Sequence, residues 1–224
     1  MFTHVHVIGT GRAGGAIRAR LIERRLRVTD GRAPDPSADL VLLCVPDSAI
    51  ADVAAAMPLG PWIAHVSGAT RLSALAPHER RFGVHPLQTL TRARGAEQLD
   101  GAWAAIGGES PDAVDRARWL ADQLGLRPFS IADADRALYH AAAVIGGNAL
   151  VTLHQVAQRL LAEVGAPPEA IDPLMARTVE NAFELTGPIA RGDTATLEAH
   201  VAALTQRAPD LVPLYRALAE ATRR

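Results

Sequence analysis

The segment Gly9-Thr10-Gly11-Arg12-Ala13-Gly14 constrains this chain more than any other. It follows the apolar run Val5-His6-Val7-Ile8 and opens a helical stretch that reaches Arg25. Three glycines at this spacing meet three separate demands where a strand turns into a helix. Gly9 permits the tight turn, Gly11 lets the backbone approach an anion, and Gly14 lets helix and strand pack closely. The free N–H groups and positive dipole end of the helix then face the same point. A chain built this way forms a Rossmann-type unit whose ligand is the pyrophosphate of a dinucleotide, with residues 9–14 as its cradle. The competing reading is a glycine turn kept for packing alone.

The rest of the N-terminal half supports a sheet. Leu26 to Thr29 reads as a brief second strand, and Leu40 to Val45 as a continuous apolar run, the mark of a strand buried on both faces. Further strands are expected at Trp62 to Val66, Arg81 to Val84, Trp103 to Ile106 and Phe129 to Ile131. Asp47 or Ser48 is read as the cap of a helix to Met57, and Pro111 to Leu124 as another helix. Strands alternating with helices imply parallel pairing. Beyond Ile131 no strand candidate remains. One long helix is expected from Asp133 or Asp135 to Val164, another from Pro167-Pro168 to Leu185, and two more near Thr194 to Gln206 and Asp210 to Thr222. The expected architecture is an α/β Rossmann-like domain over residues 1–131 followed by an all-α domain over residues 132–224.

One departure stands out. A full dinucleotide unit has a helix between its second and third strands, but only Gly31 to Asp39 separates Asp30 from Leu40, and two of those residues are proline. Asp30 lies where an acid would hold the ribose hydroxyls of NAD, and Arg32 could meet the 2′-phosphate of NADP. Plain loop residues are the alternative for both. The cofactor is therefore NADP or NAD, unresolved between them, and the short segment raises the question of lost binding.

Ligands of such sheets lie beyond the carboxyl ends of the strands. Val45-Pro46, Ser67-Gly68 and His85-Pro86 all fall there, after three different strands. Ser67 is a candidate hydrogen-bond partner for cofactor or substrate, against a role as cap or turn residue. His140 and Asn148, eight residues apart, share one broad helical face, with the adjacent Gly146 and Gly147 between them. Two glycines inside a helix imply something packed against them, either a neighbouring backbone or a nicotinamide ring. Arg191, in a loop that breaks two helices, suits bidentate binding of a substrate carboxylate, against the alternative of a solvated arginine.

Composition limits the chemistry further. All 23 basic residues are arginine, so proton transfer falls to His, Tyr, Asp, Glu or water. A formal net charge of −1 gives no general attraction to nucleic acid or an anionic membrane. No apolar run suits a membrane span, and the single Cys44 fits a reducing, cytoplasmic setting. His4 and His6 share a strand face without a third ligand, His78, His154 and His200 read as surface or helix-face residues, and no metal is expected.

Six segments in order carry a family resemblance. They are the glycine loop, Asp39 to Asp47, His65 to Ala69, His85 to Thr89, Tyr139 to Asn148, and Leu185 to Asp193. Over nearly its whole length the chain resembles the Rossmann-like proteins with a C-terminal domain of unknown function 2520. These belong to the 6-phosphogluconate dehydrogenase-like group, with pyrroline-5-carboxylate reductase and prephenate dehydrogenase as relatives. The resemblance implies catalytic work for His85, and a nicotinamide near Gly146 and Gly147 with His140 as proton donor and Asn148 orienting cofactor or substrate. The lysine of related hydroxyacid dehydrogenases, four residues before the asparagine, is Val144 here, so a lysine mechanism does not carry over. The expected activity is an NAD(P)-dependent oxidoreductase of a small, carboxylated carbonyl, hydroxy or imine substrate, working as a homodimer through the C-terminal helices. The alternative is a non-catalytic nucleotide-binding or sensor protein that has lost part of the adenosine site.

Overall fold

A computed structural model describes residues 1–223. The first half is a seven-stranded sheet with strands β1 (His4–Ile8), β2 (Arg27–Asp30), β3 (Leu40–Leu43), β4 (Trp62–His65), β5 (Arg81–Pro86), β6 (Trp103–Gly108) and β7 (Arg127–Ser130). Helix α1 (Arg12–Glu23) joins β1 to β2, α2 (Ile50–Ala55) lies between β3 and β4, and α3 (Pro111–Gln123) joins β6 to β7. The spatial order is β2-β1-β3-β4-β5-β6-β7. The chain steps outward from β1 to β2 and then returns past β1 to β3, so the crevice between the ends of β1 and β3 is the topological switch point.

Alternation of side chains across the strands builds two apolar layers. One face packs Val5, Val7, Leu40, Leu42, Phe82 and Val84 against Ile17 and Leu21 of α1, Leu120 of α3 and Leu124 just after it. The other packs Ile8, Val41, Leu43 and Ile63 against Ile50, Leu72 and Leu75. The all-buried Leu40–Leu43 run is central because it has a layer on each side. Helix α3 begins where expected: Ser110 accepts the Ala113 N–H at 3.2 Å, and Pro111 occupies the first turn.

The pairing is not wholly parallel. β6 runs antiparallel to β5, with Gly83 opposite Gly107 and Pro86 opposite Ala104. No α-helix crosses back between these strands, so the chain re-enters the sheet from the edge it left. Residues 87–102 therefore leave from the carboxyl end of β5; Gln88, Leu90 and Arg92 stay near the glycine loop, while Ala96 and Asp100 hold Arg20 in the last turn of α1.

Several expected elements differ. The long helix is α4 (Arg136–Val144) and α5 (Leu150–Glu163), separated by a π-helical turn over Ile145–Ala149. That turn holds Gly146, Gly147 and Asn148, and it shifts the helical register assumed between His140 and Asn148. A Cβ at Gly146 or Gly147 would meet nothing within 4 Å among the described residues, so no backbone of another described segment stands where those side chains would be. The helix expected to reach Leu185 is α6 (Ile171–Glu180); Ala182 and Phe183 adopt positive φ and end it. His78 is buried rather than superficial, with a ring nitrogen 2.9 Å from the Ala54 carbonyl. Asp47 does not cap α2; a 3₁₀ turn at Asp47–Ala49 precedes that helix.

By spatial contacts the chain divides into two compact units, Met1–Gly147 and a second from Asn148 on. Secondary-structure composition changes at residue 131, but α4 belongs with the sheet. The second unit contains α5, α6, a short α7 (Gly187–Ala190), α8 (Thr194–Arg207) and α9 (Val212–Thr222). Its small core joins Leu204, Ala208 and Leu211 to Val156, Leu160 and Tyr215. Among the described residues no helix is long and apolar enough to cross a membrane.

Candidate active site

The glycine loop is shaped by close approach. At Gly9, with φ of +96°, a Cβ would stand 2.4 Å from the Cys44 carbonyl oxygen, and at Gly14 it would stand 1.8 Å from the Gly9 carbonyl oxygen. Both positions therefore admit only glycine. Gly11 is different: a Cβ there would meet nothing within 4 Å, so the fold itself leaves that space open. Gly11 caps α1 without a side-chain hydrogen bond, and no acidic residue stands in the first turn. The N–H groups and dipole of that turn are left to an external anion.

A cleft of about 460 Å³ lies over this turn. Gly11, Arg12 and Ala13 line it from the loop, Cys44, Val45 and Pro46 from the end of β3, and Val66 from the end of β4. His85, Pro86, Gln88, Leu90 and Arg92 close it from β5 and the loop that follows. The open space at Gly11, the uncapped helix and the arginines at positions 12 and 92 fit a pyrophosphate. Cys44 is no nucleophile here, because burial pushes its thiol up to about 12.

Asp30 and Arg32 lie outside this lining, both exposed, as does Thr10. Asp30 ends β2 and pairs with Arg18 of α1 at 3.1 Å. The segment after it is held by polar contacts in place of a helix. Asp35 accepts from Thr29 Oγ1 at 2.9 Å and from the Ser37 hydroxyl at 2.6 Å, while His6 Nδ1 lies 2.9 Å from Thr29 Oγ1. The Ser37 hydroxyl and N–H, with Thr29, hold the Asp35 carboxyl well below the usual carboxylate range.

Ser67 reaches the expected edge but serves its own turn. Its hydroxyl donates to Asp47 at 2.8 Å and accepts the Ala69 and Thr70 N–H groups at 3.2 and 2.9 Å. This network explains why Asp47 is not a helix cap.

His85 and His140 come together, with ring centroids 5.9 Å apart at an edge-to-face angle of 78°. Gly68 makes the approach feasible: a Cβ there would stand 2.7 Å from His140 Cδ2 and 2.9 Å from His85 Cε1. A third residue, unforeseen from the sequence, completes the group. The Tyr139 hydroxyl lies 2.6 Å from His85 Nδ1. The signal was available, since Tyr139 directly precedes His140 in a segment already singled out. Burial drives the His85 imidazole down to about 4, helped by the neighbouring His140 ring and the Arg136 cation and opposed by Asp47. Burial raises the Tyr139 phenol to about 12, against the pull of Arg136. Near pH 7 the pair is thus a neutral imidazole and a protonated phenol. The phenol can donate to Nδ1, which puts the His85 proton on Nε2, or accept from Nδ1–H, which leaves Nε2 as an acceptor.

Asn148 lies in the π-helical turn and Arg191 follows α7, both in the second unit. Arg191 is exposed.

Solved structures with the same fold carry this architecture over nearly their full length. A putative NADP oxidoreductase of Bacteroides fragilis shares 20% identity at a TM-score of 0.82, covering 99% of this chain and 98% of that one. The reductive aminase of Aspergillus terreus, in complex with NADPH and ethyl levulinate, shares 18% identity at a TM-score of 0.69, covering 100% and 94%. The 1-pyrroline-5-carboxylate reductase of Streptococcus pyogenes shares 16% identity at a TM-score of 0.64, covering 98% and 96%. At these identities the likeness establishes the fold. No protein of curated function matches the chain in sequence. The family model for the domain of unknown function DUF2520 matches residues 102–222 and so begins at β6, inside the sheet, rather than at the first wholly helical segment. With more than half its length matched, the chain belongs to the DUF2520 family.

Proposed function

We propose that this protein is an NAD(P)-dependent oxidoreductase acting on a small, carboxylated carbonyl, hydroxy or imine compound. One observation carries the reading: a single cleft at the switch point is lined both by the glycine loop and by His85. A glycine turn kept for packing would need no open space at Gly11, and a nucleotide sensor would need no neutral histidine, itself paired to a tyrosine, in the lining of the same cleft. Names among the structural neighbours, a reductive aminase with NADPH and a pyrroline-5-carboxylate reductase, support the same class.

A nicotinamide cofactor, when bound, supplies the hydride chemistry. The chain's own residues bind and orient. The first turn of α1 with Arg12 and Arg92 receives the pyrophosphate, and Val45 and Pro46 wall the cleft. With the phenol as donor, His85 carries its proton on Nε2 and donates a hydrogen bond to the reacting oxygen or nitrogen, and Tyr139 fixes that tautomer through Nδ1. His140 stands beside them as a second proton carrier. Asn148 and Arg191 are assigned to orienting the substrate and clamping its carboxylate, and Asp30 or Arg32 to the adenosine ribose or its 2′-phosphate.

We infer a cytoplasmic homodimer joined by the C-terminal helices. The second unit exposes Val151, Leu174, Val179, Phe183 and Leu185, each more than half accessible, an apolar load that a small core does not cover.

Titration calorimetry with NADPH and NADH tests the reading directly. Binding of either, with a rise in thermal midpoint, is expected. Absence of binding by both at millimolar concentration overturns it in favour of a protein that has lost the adenosine site.

A further inference from the structure

Arg136 is fully buried although it opens helix α4. Its guanidinium lies over β5 and β6 at the only paired position where both strands carry glycine, Gly83 opposite Gly107. A Cβ at Gly83 would stand 2.6 Å from Nη2, and one at Gly107 would stand 3.0 Å from it. The cation therefore fills a trough that exists because neither strand has a side chain there. Nε donates to Asp133 Oδ1 at 2.8 Å and Nη1 donates to the Ser67 carbonyl at 3.3 Å. The same Asp133 oxygen accepts the Leu72 N–H at 2.9 Å. One side chain thus ties the start of α4 to the sheet, to the turn after β4 and, through Asp133, to the segment that follows it.

Stability does not account for this arrangement. Nη2 is buried with no hydrogen-bond partner among the described residues, and His65, facing the same glycine, has both ring nitrogens in that condition. A buried cation with an unpaired donor is unfavourable beside an apolar side chain of similar volume. Geometry offers a different account. Tyr139 and His140 lie three and four residues beyond Arg136, on the same helical face and one turn further along. Docking Arg136 fixes both the rotation and the height of that turn.

We propose that Arg136 is a positioning residue of this site: seated on the Gly83–Gly107 pair, it holds α4 where Tyr139 and His140 meet His85. The proposal rests on the oxidoreductase reading only for its effect on turnover. The state of His85 itself is measurable without cofactor or substrate. Its ring is faced by Tyr139, His140 and Arg136 from α4 and by Asp47 from the turn after β3. Arg12 and Arg92 line the same cleft from the glycine loop and the β5–β6 loop.

The test is the titration of the His85 ring by nuclear magnetic resonance in the cofactor-free protein, with near-ultraviolet circular dichroism as the check on folding. Arg136→Gln is expected to raise the His85 midpoint by about half a pH unit or more, by removing a nearby cation and admitting water. Gly107→Ala keeps every charge but lifts the guanidinium from its trough, and it is expected to move the same midpoint and weaken the Tyr139 contact. Arg136→Lys, which keeps the charge without the fork, falls between wild type and Arg136→Gln. Folded Arg136→Gln and Gly107→Ala proteins in which His85 titrates as in wild type would overturn the proposal. Failure of both to fold would also overturn it, by making Arg136 a structural anchor only. Calorimetry with NADPH on the wild-type protein separates the two readings, since loss of the oxidoreductase assignment leaves the His85 titration unchanged. Once a substrate is in hand, Arg136→Lys lowers kcat with little change in KM.

Discussion

The Tyr139 hydroxyl lies 2.6 Å from Nδ1 of His85, linking the first helix after the sheet to the end of its fifth strand across 54 residues of sequence. Burial keeps the imidazole neutral and the phenol protonated at neutral pH. Tyr139→Phe removes the partner that fixes the His85 tautomer. We expect it to lower kcat by about 100-fold with cofactor affinity unchanged, and His85→Ala to do at least as much. Turnover of a panel of 2-oxo acids and cyclic imines with NADPH or NADH is the measurement, and wild-type rates in both variants would remove the pair from the mechanism.

The glycines of the loop separate binding from folding. A Cβ at Gly14 would stand 1.8 Å from the Gly9 carbonyl oxygen, whereas Gly11 has open space. Gly14→Ala should therefore destabilise the fold, by roughly 1–3 kcal/mol or more in denaturant unfolding. Gly11→Val should leave the unfolding free energy within about 0.5 kcal/mol of wild type while weakening NAD(P) binding by at least tenfold. Equal cofactor affinity in Gly11→Val and wild type would show that the open space is not the pyrophosphate seat.

In the proposed reading, cofactor choice divides between two exposed residues, Asp30 at the end of β2 and Arg32 just after it. Asp30→Ala is expected to weaken NAD binding and Arg32→Ala to weaken NADP binding, each by about tenfold. Asp30 also pairs with Arg18, so Arg18→Ala is the control for loss of that contact. Calorimetry with both cofactors reads the outcome.

Acid should weaken the fold through His65. It is fully buried, and burial, reinforced by the charge of Arg136, drives its imidazole down to about 4. The unfolded chain then binds more protons than the native one between about pH 6.5 and 4. Stability is full above that window and falls as pH drops through it, with His65 contributing up to about 3 kcal/mol of the loss. Urea midpoints at several pH values should fall less steeply in His65→Leu than in wild type. An identical slope would mean that the ring is not held neutral.

Light scattering at micromolar concentration checks the proposed dimer. Charged substitutions at Leu174 and Phe183, 62% and 67% exposed, should yield monomers without loss of helical content. A wild-type monomer would remove the dimer.

Local chemistry was legible from the residues alone. The glycine loop, the buried Leu40–Leu43 strand, the helix start at Pro111 and the turns at 45–46 and 67–68 are each encoded by neighbours in the chain, whereas the turn expected at His85-Pro86 is the end of β5, where Pro86 pairs with Ala104. Backbone conformation and apolar periodicity are short-range properties, so a short window contains them. The antiparallel entry of β6, the burial of His78, the Ser67–Asp47 bond and the docking of Arg136 depend on which strands lie side by side and in what register. Gly83 and Gly107 read separately as two unremarkable glycines. Only their cross-strand pairing makes a trough, and only the trough lets a buried arginine set where Tyr139 meets His85. Close packing decides such contacts, because it acts between residues that the sequence separates and the sheet brings together.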